Sequence, residues 1–205
     1  EAVRRTRDAM FNVIGPSQFS DVIVEVDAHC RFSEVLLGRR AKSEPELLGC
    51  YGALLAHGTE NDAKGVAAMI PGIEVAHVTA AMRALEAHGR LKGANERVLA
   101  LQTRFPIARL WDKGDKASSD MMSLDASRHI FNARVDPRRR THAVGIYTHV
   151  LGSYGVFHDE AIVLNERQHS IAVHGVEAYN ASRAEDEIKL SLLAVDTHGY
   201  TNVAM

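Results

Sequence analysis

With 205 residues, 46% hydrophobic and 24% charged, the chain can bury one large core or two small ones and has ordinary globular composition. Its formal net charge of −2 excludes a uniformly basic nucleic-acid binder. No apolar run approaches the roughly 18 residues of a membrane-crossing helix, which excludes that class too.

The opening residues, Glu1-Ala2-Val3-Arg4-Arg5-Thr6-Arg7, carry charge with no apolar run behind them, so no secretory signal is read there. The first residue is Glu rather than Met, and the chain is expected to belong to something longer. Cys30 and Cys50 lack metal-ligand spacing, and a cytoplasmic protein with reduced thiols is expected. Residues 1–20 read as a linker or helix end, closed by Gly15-Pro16-Ser17. Val22-Ile23-Val24-Glu25-Val26 is β-branched and predicts one short strand. The rest of 21–104 has helical texture. Pro45 suits a first helical turn, and Val75, Val78, Met82 and Leu85 fall at i, i+3, i+7 and i+10.

After Phe105-Pro106 the texture turns to strands. Ile107–Trp111, the run around Ser118-Ser119-Asp120-Met121-Met122, Arg128–Val135, Ala143–Val150 and the stretch from Val156 to Leu164 are strand candidates. Ile171–Arg183 suits a helix, and Lys189–Val195 returns to strand. Three antiparallel-looking strands, a helix and a further strand are the opening half of a ribonuclease H-like sheet. The predicted class is α+β or α/β: a helical N-terminal part, then over 105–205 a mixed sheet with a flanking helix.

Two aspartates stand where strands break into turns, Asp120 in Ser118-Ser119-Asp120 and Asp196 in Val195-Asp196-Thr197-His198-Gly199. Carboxylates held together repel, and a hard divalent cation such as Mg²⁺ or Mn²⁺ relieves the repulsion. The competing structural reading makes both aspartates turn formers. A local basic bias, with Arg128, Arg134, Arg138, Arg139 and Arg140 inside 128–140, forms either a phosphate-facing patch or a solvated loop. His142, His149, His158, His169, His174 and His198 show no compact H-x-x-x-H pair on a helix, so packed or hydrogen-bonded imidazoles are expected rather than zinc ligands. No Walker-type loop or Gly-x-Ser-x-Gly elbow is present.

Phe105–Trp111, Ser118-Ser119-Asp120, Tyr147-Thr148-His149 with Phe157-His158, and Val195–Thr201 occur in one order. Together they resemble the catalytic region of the Tn-three family of replicative, cointegrate-forming transposases, which use a DDE site. Glu25-Val26-Asp27-Ala28 with Phe32-Ser33 is similar to the segment ahead of that core, so the resemblance runs from about Asp21 to Met205.

The resemblance implies that Asp120 and Asp196 are the first two catalytic, metal-binding carboxylates, with Mg²⁺ or Mn²⁺ as cofactor. It implies double-stranded DNA, both transposon ends and target, as the partner, and a homo-oligomer in the full-length protein. Arg134, Arg138, Arg139 and Arg140 become candidate DNA contacts. His149 and His158 match family positions and are candidates either to support the metal ligands from behind or to face DNA, and His198, where many relatives have Ala, joins them as a candidate phosphate contact. The third ligand of the family, a glutamate, lies well beyond the second aspartate, whereas the sequence runs only nine residues past Asp196. The isolated chain is therefore expected to be inactive, the alternative being a non-catalytic remnant that acts as a DNA-binding scaffold. A metal-dependent hydrolase of unrelated substrate is a third reading.

Overall fold

The first hundred residues form seven helices: α1 (Ala2–Ile14), α2 (Phe19–Cys30), α3 (Phe32–Leu37), α4 (Glu44–Gly58), α5 (Ala63–Met69), α6 (Val75–Leu85) and α7 (Arg90–Gln102). Side-chain caps start two of them. The Glu46 N–H donates to Ser43 Oγ with Pro45 in the first turn of α4, and the Gly65 N–H donates to Asp62 Oδ1 at 2.7 Å to open α5. Leu36, Cys50, Ala53 and Leu85 are buried in the core with Phe32 and Ile23. Burial pushes the Cys50 thiol up to about 12, so it stays a protonated packing group.

The strand expected over Val22–Val26 does not form, because that run lies inside α2. A reciprocal Gln18–Asp21 capping box nucleates the helix, and Ile23 and Asp27, one helical turn apart, are its buried residues. Tertiary burial at helical spacing overrides the β-branched preference. Of the two readings of residues 1–20, linker or helix end, residues 2–14 take the helical one.

The computed structural model describes residues 1–164 and 168–196, and it divides into two units, 1–101 and 102–205. The second unit opens with the short helix α8 (Ala108–Trp111), where a strand was expected; turn hydrogen bonds from Ala108, Arg109 and Leu110 back to Phe105, Pro106 and Ile107 wind the chain after the proline. Then follow β1 (Lys116–Asp125), β2 (Arg134–Val135), β3 (His142–Leu151), β4 (Val156–Ile162), α9 (His169–Ala181) and β5 (Leu192–Val195). The strand expected over Arg128–Val135 shrinks to β2, since turns close from Ile130 to Ser127 and from Ala133 to Ile130 before pairing can begin.

β3 runs antiparallel to both β1 and β4, and β5 joins the far edge of β1 in parallel. The long parallel connection is supplied by α9, which packs on the face that carries Tyr147 and His149. Close approach there depends on Gly175, because a Cβ at that position would overlap the fully buried His149 ring. Gly175→Ala is expected to destabilise this unit by about 1–3 kcal/mol, the usual penalty of overpacking, read as a lower denaturant midpoint at unchanged slope. Past α9, the Asn180 side chain donates to Leu190 O at 3.0 Å and accepts from the Leu190 N–H at 2.8 Å. That clamp fixes the entry to β5 and so the place of Asp196.

Candidate metal centre

β1 alternates exposed and buried residues, with Ala117 and Ser119 inward and Ser118 and Asp120 outward. Pairing with β5 sets Ser118 beside Ala194 and Ser119 beside Val195. One further step in the same register brings Asp196 beside Asp120, about one strand spacing (~4.8 Å) away. The row continues across the sheet, because Asp120 pairs with Thr148 and Thr148 with Asp159. Asp196, Asp120, Thr148 and Asp159 therefore share the sheet face opposite α9.

Tyr147 records both charges. Burial raises its hydroxyl above the ordinary value, a hydrogen bond with Ser119 Oγ at 3.0 Å opposes the rise, and the negative charges of Asp196 and Asp120 add to it. Asp120 and Asp196 are both exposed, and Asp120 Oδ1 accepts the Met121 N–H at 2.7 Å. Two adjacent hard-oxygen donors suit Mg²⁺ or Mn²⁺ by the chemistry of the set. Among the described residues, no third Asp, Glu, His or Cys gathers with them into a compact donor group. Asp159, two strands from Asp120, stands roughly 10 Å off along the row. In sequence Thr148 stands out only within the motif Tyr147-Thr148-His149 and Asp159 not at all; strand alternation carried through the β3–β4 pairing is the signal that sets both on the Asp120 row.

The arginine-rich turn lies off the Asp125 end of β1. Asp136 organises it, accepting the Arg138 N–H at 2.8 Å, Arg139 Nε at 3.1 Å and Ser123 Oγ at 2.9 Å. Arg139 also pairs with Asp125 at 3.1 Å, so its charge is committed within the fold. Arg134 Nη1 donates to the carbonyls of Phe131 and Ala133. Arg138 and Arg140 remain exposed, with Arg140 at φ 58°.

The hydrogen bonds from Arg138, Ser123 and Arg139, the first strongest, hold the Asp136 carboxyl down at about 2 against the opposing effect of burial. A carboxylate depressed in the fold stabilises it above its unfolded value of about 3.9, and that stability is lost as pH falls towards 2. Acid titration is thus expected to release the Arg138 amide from exchange protection between about pH 4 and 2. Asp136→Asn should remove that step, and an identical acid profile in the variant would refute the assignment.

His149 is fully buried, its Nε2 3.1 Å from Ala172 O, and burial lowers its proton affinity. It therefore packs the core under α9, in line with a packed imidazole, and the alternative that it faces DNA is corrected. His158 is half-buried on the same side of the sheet, beside Glu160 and His174, and not on the Asp120 row. His198 lies outside the described residues.

A family model described as the Tn3 transposase DDE domain matches residues 21–205. The chain is 43% identical over 203 residues to the transposase for insertion sequence element IS1071 in transposon Tn5271 of Comamonas testosteroni. That alignment covers 99% of this chain, and the chain spans 20% of the length of the relative. No helix among the described residues is long and apolar enough to cross a membrane. The match over nearly the whole sequence is to the DDE region of these enzymes, and the chain belongs to the Tn3 transposase DDE-domain family.

Proposed function

We propose that this chain is the part of a DNA transposase that carries the first two carboxylates of an Mg²⁺- or Mn²⁺-dependent phosphodiester site, Asp120 and Asp196. The observation that carries the proposal is their side-by-side register on β1 and the end of β5. Strand order β4-β3-β1-β5, three antiparallel strands and one parallel after a helix, supports the ribonuclease H-like reading of the sheet. Divalent cations held by Asp120 and Asp196 would supply the chemistry of a two-ion site, activation of the attacking oxygen by one and stabilisation of the leaving oxygen by the other, at the transposon end and in transfer of the freed 3′-OH to target DNA.

The residues of the chain divide the remaining work. Asp120 and Asp196 would hold the cation from neighbouring strands. Ser119 and Tyr147, joined by their hydroxyls beneath the row, and the Asn180 clamp on Leu190 keep those strands in register. Arg138 and Arg140 would meet DNA phosphates from the turn at the Asp125 end, setting affinity and salt dependence rather than sequence choice. Arg138→Ala with Arg140→Ala is expected to flatten the slope of log affinity against log salt by about 1.5–2. An unchanged slope in a salt series on duplex DNA would remove these arginines from the interface. Double-stranded DNA in the cytoplasm and a homo-oligomer that brings two ends together complete the proposal.

The catalytic assignment itself is tested by Asp120→Asn and Asp196→Asn in a transposase of the relative's length that carries this segment.

A further inference from the structure

The geometry points to a second metal site, of a different chemical class, between β4 and α9: we propose that His158, Glu160 and His174 bind Zn²⁺. His158 and Glu160 are two residues apart on β4 and so face the same side, towards α9, which presents His174. Their donor atoms all lie within 4.8 Å of one another. Glu160 Oε2 is 3.2 Å from His174 Nδ1 and 3.6 Å from His158 Nε2.

Those separations match a metal better than they match hydrogen bonding alone. Ligands held about 2.0–2.1 Å from a tetrahedral ion lie about 3.3 Å from each other, close to both values. A hydrogen bond accounts for the His174–Glu160 contact. It does not account for His158, whose Nε2 is buried and lacks a hydrogen-bond partner among the described residues, 3.6 Å being too long for one. An ion among the three donors would satisfy that orphaned nitrogen, and the imidazole rings already stand edge to face at 5.6 Å.

Two imidazoles and one carboxylate suit Zn²⁺ rather than Mg²⁺, and they leave a fourth position for water. Such a set is invisible to a search for paired histidines on one helix, since its ligands come from a strand and a helix. The site is distinct from the Asp120–Asp196 pair, which lies on the opposite face of the sheet. Zn²⁺ here would pin α9 to the edge strand β4 and steady the crossover that leads into β5 and Asp196.

The test titrates the untagged 205-residue chain with Zn²⁺ by calorimetry and with Co²⁺ by visible absorption. One equivalent of Zn²⁺ and intense tetrahedral Co²⁺ bands are expected, with a rise in melting temperature on Zn²⁺ addition. His174→Ala, an exposed helix position whose loss leaves the fold intact, should weaken binding by more than about 100-fold, beyond the 10–100-fold typical of losing a supporting partner. Glu160→Gln should weaken it too, whereas Asp120→Asn should bind as the parent does. Absence of Zn²⁺ binding, one-site binding unchanged in His174→Ala, or binding lost only in Asp120→Asn would each overturn the proposal, and none of these results bears on DNA cleavage.

Discussion

Replacing Asp120 or Asp196 by Asn is expected to slow Mg²⁺-dependent cleavage of a transposon-end duplex by about 10²–10³-fold, with the fold intact. The amide keeps the volume of the side chain and, at position 120, an oxygen for the Met121 N–H. What it removes is one of two formal charges that face each other across neighbouring strands. Metal-borne stabilisation of a transition state amounts to several kcal/mol, and each 1.36 kcal/mol is tenfold in rate. Because both positions are exposed, neither variant should shift the thermal midpoint appreciably. Asp159→Asn serves as the internal comparison: it lies on the same row but two strands from Asp120, and less than a tenfold loss is expected there. Parental cleavage rates in either Asp120→Asn or Asp196→Asn would defeat the assignment. So would a fall in rate of equal size at Asp159, because the effect would then track the charge of the face rather than the pair.

How far these residues announced themselves in sequence depends on what each signal rests on. For Asp120 and Asp196 the sequence offers motifs in family order, and strand register adds the adjacency that spacing alone cannot supply. Ala143–Val150, the pieces Val156-Phe157 and Ala161–Leu164 on either side of the middle of β4, and the helix near Ile171 were legible from local apolar pattern. The failures have separate causes. Val22–Val26 has strand composition, yet Ile23 and Asp27 are held inward by helices distant in sequence, and no local pattern shows that. Arg128–Val135 alternates like a strand, but turn hydrogen bonds occupy its backbone. The arginine cluster read as either a phosphate-facing patch or a solvated loop, and folding commits Arg139 to Asp125 and Asp136 while Arg138 and Arg140 stay outward. His158, Glu160 and His174 meet only through the packing of α9 on β4.

Asp27→Ala is expected to cost the helical unit about 3 kcal/mol, a large share of the 5–15 kcal/mol typical of a domain. The carboxylate is buried and collects three donors: the Ser33 N–H at 2.8 Å, Ser33 Oγ at 2.6 Å and the Tyr51 hydroxyl at 2.7 Å. It thereby ties α2 to the start of α3 and the middle of α4. Burial first, and the bond to Asp27 after it, raise the Tyr51 hydroxyl above its ordinary value, so the tyrosine remains a donor throughout the working pH range. Truncation to Ala strands buried polar hydrogens, and that desolvation penalty, rather than the net worth of the bonds, dominates the loss. Asp27→Asn retains an oxygen for the Ser33 N–H and should cost about 1 kcal/mol, since both hydroxyls can turn to accept from the amide. In a Tyr51→Phe background Asp27→Ala should cost about 1 kcal/mol less, the coupling expected of side chains in direct contact. Denaturant melts of the four proteins measure this cycle. Hydrogen exchange then locates the loss, which is expected in amides of residues 1–101. A cost below about 1 kcal/mol for Asp27→Ala, or strict additivity with Tyr51→Phe, would mean that the network is ornamental to stability and that α2 is held by the packing of Ile23 alone.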